Sequence, residues 1–157
     1  MNNGQAHGGN TLLVRGAAVY LLIALALAWC LVGMNFGVEP IKWIFPGKVS
    51  RILQAHIDFL LMSALLFGFV AAKVKLPRHV RWAMIIGAFT NPSLFILMAM
   101  FPLLDAPPPP PEGMGPAAFH LYLMASILTT TYGFGAGAVT ILRSTFKADQ
   151  GGSSLVR

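Results

Sequence analysis

Residues 52–72 read ILQAHIDFLLMSALLFGFVAA. A helix needs about 20 residues to cross a ~30 Å hydrocarbon core, and this run meets that length without a Lys or Arg. Its polar groups are Gln54, His56 and Asp58 near its start and Ser63 just past its middle. The segment therefore reads as a membrane-spanning helix that carries chemistry near one end.

The rest of the chain agrees with that reading. Hydrophobic residues make up 56% of the 157-residue chain and charged residues 10%, with a mean hydropathy of +0.70. A soluble domain carries roughly 25% charged residues, so a water-facing surface cannot be built from this composition. Three further stretches are long and apolar enough to span: residues 17–36, 82–104 and 117–142. Together with 52–72 they predict an all-α, integral membrane, antiparallel four-helix bundle occupying residues 1–157 as a single membrane domain. The first stretch exceeds a signal-peptide core, and Trp29 stands where a lipoprotein cleavage box before Cys30 needs a small residue, so a retained helix is expected.

Net charge is +6, from eleven Lys and Arg against five Asp and Glu. The cations sit in short runs between apolar stretches rather than as one nucleic-acid-binding face. The arm, second loop and tail together hold eight of them, including Lys73, Lys75, Arg78 and Arg81; the first and third loops hold three, Lys42, Lys48 and Arg51. By the positive-inside rule both termini are expected in the cytoplasm of a bacterial-type inner membrane. Residues 105–116, with prolines 107–111, are expected as a stiff exterior loop, and 146–157 as a flexible cytoplasmic tail. One cysteine excludes an internal disulfide and an all-cysteine metal site. No P-loop, GxSxG, HExxH or CxxC motif occurs, so hydrolytic and ATP-driven mechanisms have no support.

An ionisable group inside a span is costly and is read as functional until a structural partner accounts for it. From helical rise, His56 lies roughly 7 Å and Asp58 roughly 10 Å below the outer boundary, while Asn91 lies roughly 15 Å from the opposite face. His56, Asp58, Asn91, Ser93, His120 and Tyr122 thus share the middle and outer half of the bilayer. His56 and Asp58, two residues apart, point to opposite sides of one helix, so one is expected to face the bundle and the other a second subunit or a ligand. His56 is either an interfacial imidazole bonded to a carbonyl or a metal, heme or proton site. Asp58 is either a functional group or a buried carboxyl kept neutral by its apolar site, an unpaired carboxylate being its least expected state. Pro92 cannot donate to Ala88, and the Asn91 amide either satisfies that carbonyl or points at a substrate. His120 is shallow enough to be wet. Gly133 and Gly137 form a GxxxG pair, a signal for close helix packing.

The stretch Ala55-His56-Ile57-Asp58, opening the second span, and the Thr90-Asn91 pair in the third resemble the small four-span membrane isomerases of the styrene oxide isomerase and hydroxylaminobenzene mutase type. The resemblance covers spans two and three, about a third of the chain. It implies a homo-oligomer, a trimer in that family, with heme b between subunits. It also implies His56 as the axial iron ligand, Asn91 as a polar wall residue, and ferric iron acting as Lewis acid on a substrate oxygen. The family's assisting asparagine and tyrosine are Met62 and Phe95 here, changes that bear on epoxide chemistry more than on heme, which needs an imidazole and an apolar slot.

The expected function is a membrane-embedded isomerase or mutase acting on a small aromatic, lipid-soluble substrate. His56 would bind heme iron, Asn91 and Asp58 would act on the substrate, and Phe59, Phe67, Phe89 and Phe95 would supply apolar walls. A partner for the second nitrogen of His56 is expected from another element, such as Gln54 or Asp58 of a neighbouring copy. The alternatives are a non-catalytic heme-binding or scaffold membrane protein and a small-substrate transporter using Asp58.

Overall fold

The structure, a computed structural model, describes residues 10–106 and 113–153, with side chains described to residue 146. Five α-helices follow one another: α1 (Thr11–Asn35), α2 (Glu39–Ile44), α3 (Val49–Ala71), α4 (Arg78–Met100) and α5 (Met114–Ser153). A 3-10 turn, Pro102–Asp105, lies between α4 and α5. No strand occurs among the described residues. Helices α1, α3, α4 and α5 are long and apolar enough to cross a membrane, which makes the chain a multi-pass membrane protein by architecture. The prolines 107–111 lie outside the described residues, so the expectation for that loop has no structural counterpart here.

Consecutive long helices run antiparallel and pack in chain order, α1 on α3, α3 on α4, α4 on α5. Two bonds, one half-buried and one buried, fix the register of α1 on α3. His56 Nδ1 lies 2.8 Å from the Ala24 carbonyl, and Ser63 Oγ donates to the Ala17 carbonyl at 2.7 Å. The donors are seven residues apart on α3 and the acceptors seven apart on α1 in the opposite sense, two turns of each helix. Ala17, Ala24 and Ala55 are fully buried, and their small side chains let the two backbones approach. Tyr20, Phe59 and Phe89, from α1, α3 and α4, form a three-ring cluster with centroids 5.9–6.2 Å apart. The Tyr20 hydroxyl donates to the Ile85 carbonyl at 2.6 Å, so its one polar atom is satisfied inside the core.

Helices α4 and α5 approach through glycine. A Cβ on Gly133 would stand 2.6 Å from Met84 N, and one on Gly87 would stand 2.6 Å from Thr130 Cα. Gly133 and Gly137 are both buried, so the GxxxG pair serves contact within the chain. Next to these glycines, toward the α5 N-terminus, runs a ladder of hydroxyls. Ser126 donates to Thr90 Oγ1 at 2.9 Å, and Thr130 donates back to the Ser126 carbonyl at 2.8 Å.

Several boundaries differ from expectation for local reasons. Helix α4 begins at Arg78, directly after Pro77, which is well suited to precede a first turn. It ends at Met100 rather than 104, because Pro102 cannot continue the ladder. Helix α5 begins at Met114 and runs without a break through the start of the expected tail to Ser153; residues 154–157 lie outside the described residues. The first loop folds into α2, whose Trp43 is exposed.

Candidate functional site

The polar residues of α3 fall on two seams. His56 lies against α1. Its Nδ1 meets a carbonyl, which only an N–H can satisfy, so Nδ1 carries the proton and Nε2 carries the lone pair. The ring is half-buried, and Leu53 and Leu60, three before and four after it on α3, share its side of the helix. The predicted partners for the second nitrogen, Gln54 or Asp58 of another copy, are replaced by Ala24 of the same chain. That bond was not legible because a backbone carbonyl leaves no mark in sequence.

Asp58 lies on the other seam, against α4, where Asn91 Nδ2 donates to its Oδ2 at 2.7 Å. The two residues read as neighbours in depth are thus neighbours in space. Both His56 and Asp58 are bonded to their own bundle, His56 to α1 and Asp58 to α4, and both are half-buried. The Asn91 amide goes to Asp58 rather than to the Ala88 carbonyl freed by Pro92. Ser93 donates to the Thr90 carbonyl at 2.7 Å, so its hydroxyl receives the Tyr122 hydroxyl proton, also at 2.7 Å. His120 is exposed and belongs to neither seam.

Of the four aromatic walls expected for a substrate, Phe67 and Phe89 reach the surface. Phe59 is fully buried in the three-ring cluster and Phe95 packs against the core, so neither lines an entry from lipid. Met62 is buried as well. The apolar substitutions at the two assisting positions of the isomerase pattern are therefore core residues.

A third polar group was missed by the sequence. Asp105, at the end of the 3-10 turn, receives Arg51 Nη2 and lies 2.9 Å from Lys48 Nζ. The bond from Arg51, followed by that from Lys48, holds the Asp105 carboxyl below the usual carboxylate range. Beside it Gly47 N–H donates to the Ala99 carbonyl at 2.8 Å, at a place where a Cβ would stand 2.7 Å from the same oxygen. The available signal was an acid just past the end of one span and cations just before the start of another. These contacts clasp α3 to the end of α4.

Among the described residues no three His, Cys, Asp or Glu side chains converge to hold a metal by protein ligands alone. A porphyrin brings its own four nitrogens and asks for one axial imidazole with a fixed tautomer and an apolar surround. His56 offers such an imidazole: the carbonyl of Ala24 holds a proton on Nδ1, and Leu53 and Leu60 share its side of α3. Comparison with protein-family models, with curated proteins and with solved structures finds no match to this chain.

Proposed function

We propose that this chain is a membrane-embedded isomerase or mutase for a small aromatic, lipid-soluble substrate, with His56 as the axial ligand of heme b. The observation that carries the reading is the bond between His56 Nδ1 and the Ala24 carbonyl, which leaves Nε2 as the coordinating atom. When bound, a ferric heme supplies a Lewis acid that polarises a substrate oxygen without net redox change. The residues of the chain do the rest. The Ala24 carbonyl holds the imidazole tautomer and raises its basicity. Leu53 and Leu60 offer apolar surface beside the ring, and Phe67 and Phe89 stand exposed to lipid. Asp58 and Asn91 lie around α3 from His56, so they reach that ligand's substrate only from a neighbouring copy. This geometry favours a homo-oligomer, with the trimer implied by family resemblance. The basic end, with Lys73, Lys75, Arg78 and Arg81, faces the cytoplasm of an inner membrane in this reading, and both termini lie there.

The test is the absorption spectrum of the protein purified in mild detergent from cells supplied with heme precursor. A Soret band with heme near one per chain is the expected result. Its absence overturns the heme assignment and returns His56 to a structural bond with α1.

A further inference from the structure

Arg51, Gln54 and Asp58 sit at i, i+3 and i+7 of α3, so they form one stripe down a single face of the helix. The stripe is hydrogen-bonded at both ends. Arg51 Nη1 donates to Gln54 Oε1 at 2.7 Å and Nη2 reaches Asp105, while Asn91 donates to Asp58 at its foot. Asp58 lies about 10 Å below Arg51 by helical rise. One turn and two turns further, at Met62 and Leu65, the same face is apolar, so the stripe stops at the Asp58–Asn91 pair.

A stripe of Arg, Gln and Asp turned to hydrocarbon is among the most expensive surfaces a span can carry. Gln54 is exposed, and Asp58 and Asn91 are half-buried. The pair also has unused capacity. Among the described residues neither Asp58 Oδ1 nor Asn91 Oδ1 receives a bond, and Nδ2 of Asn91 has a second N–H. One hydroxyl can donate to the carboxylate oxygen while accepting from that spare N–H.

We propose that the stripe lines a blind, hydrated crevice open at the Asp105 end, and that the Asp58–Asn91 pair at its foot binds the hydroxyl of a small apolar alcohol. The site is built by α3 and α4 alone and stands whether or not His56 carries iron.

The full-length protein in lipid vesicles tests this with two carbodiimides that activate carboxyl groups, one water-soluble and one lipid-soluble, each with an added amine to trap the product for mass mapping. The water-soluble reagent is expected to tag Asp58 from the same side as it labels a cysteine placed at Gly113. Asp58→Asn removes the tag, and Gln54→Leu slows it. Exposed Glu39, in α2 on the connection that leads into α3, is the control for reagent access. 2-Phenylethanol at twice its dissociation constant leaves about a third of sites open, so tagging of Asp58 falls about threefold while tagging of Glu39 is unchanged. Tagging by the lipid-soluble reagent only, or by neither, overturns the crevice. Tagging that the alcohol does not slow overturns the site.

Discussion

Replacing Gly133 by alanine puts one methyl where the α4 backbone already stands. The new carbon would lie 2.6 Å from Met84 N, 2.8 Å from Ala83 C and 3.0 Å from Met84 Cα. Non-bonded carbon contacts are favourable at about 3.5–4.0 Å, so α5 must retreat from α4 by roughly 1 Å, and backbone cannot rotate away as a side chain could. Overpacking of this kind costs about 1–3 kcal/mol, and three backbone atoms in the path place this substitution at the upper end. Gly135 supplies the internal control, since nothing lies within 4 Å of its Cβ position. Gly135→Ala should be neutral or gain up to about 1 kcal/mol from helix propensity. The two variants are expected to differ by about 2–4 kcal/mol. At about 2–4 °C per kcal/mol, thermal unfolding in detergent should separate their midpoints by about 4–16 °C. Equal midpoints would refute the close packing of α5 on α4.

Asp105→Asn is expected to lower stability by about 1 kcal/mol at pH 7, with the difference from wild type closing in acid. The folded carboxyl titrates below its unfolded value, so the clasp contributes fully above about pH 4 and is lost as pH falls through the depressed folded value. Unfolding midpoints measured from pH 7 to pH 3 check this sign. Ser63→Ala removes the bond to Ala17 and should cost about 0.6 kcal/mol by titration with a denaturing detergent; no loss would show the register to rest on alanine packing alone. Cysteines introduced at Gly113 and Gly151 should label from opposite sides of sealed vesicles, and labelling of both from one side would refute α5 as a membrane-spanning helix.

The four spans were legible because length and hydropathy decide them. Their ends were less so, since α1 starts at Thr11 rather than 17 and α3 at Val49 rather than 52, Pro77 and Pro102 set the ends of α4, and α5 runs on through the expected tail. The depth of the polar residues was legible too, since helical rise converts residue number into ångströms. Partner choice was not. Asn91 could have served the Ala88 carbonyl or a ligand, and only the placement of α4 beside α3 turned it to Asp58. The anchor of His56 is a carbonyl on α1, and the acceptor of Tyr20 is a carbonyl on α4; main-chain acceptors are the same at every residue, so no sequence pattern marks them. The aromatic walls failed for a related reason. Phe59 and Phe95 face inward because of helix order around the core, which periodicity within one apolar span does not reveal.

The central claim is that His56 holds heme through Nε2 while Ala24 fixes Nδ1, and heme content of paired histidine variants tests it most directly. Wild type, His56→Ala and His120→Ala are purified in parallel and their Soret absorbance is normalised to protein. The account predicts that His56→Ala loses the band, while His120→Ala, whose imidazole is exposed and belongs to neither polar seam, keeps most of it. A full band in His56→Ala, or loss in His120→Ala alone, would contradict the account and move the ligand elsewhere.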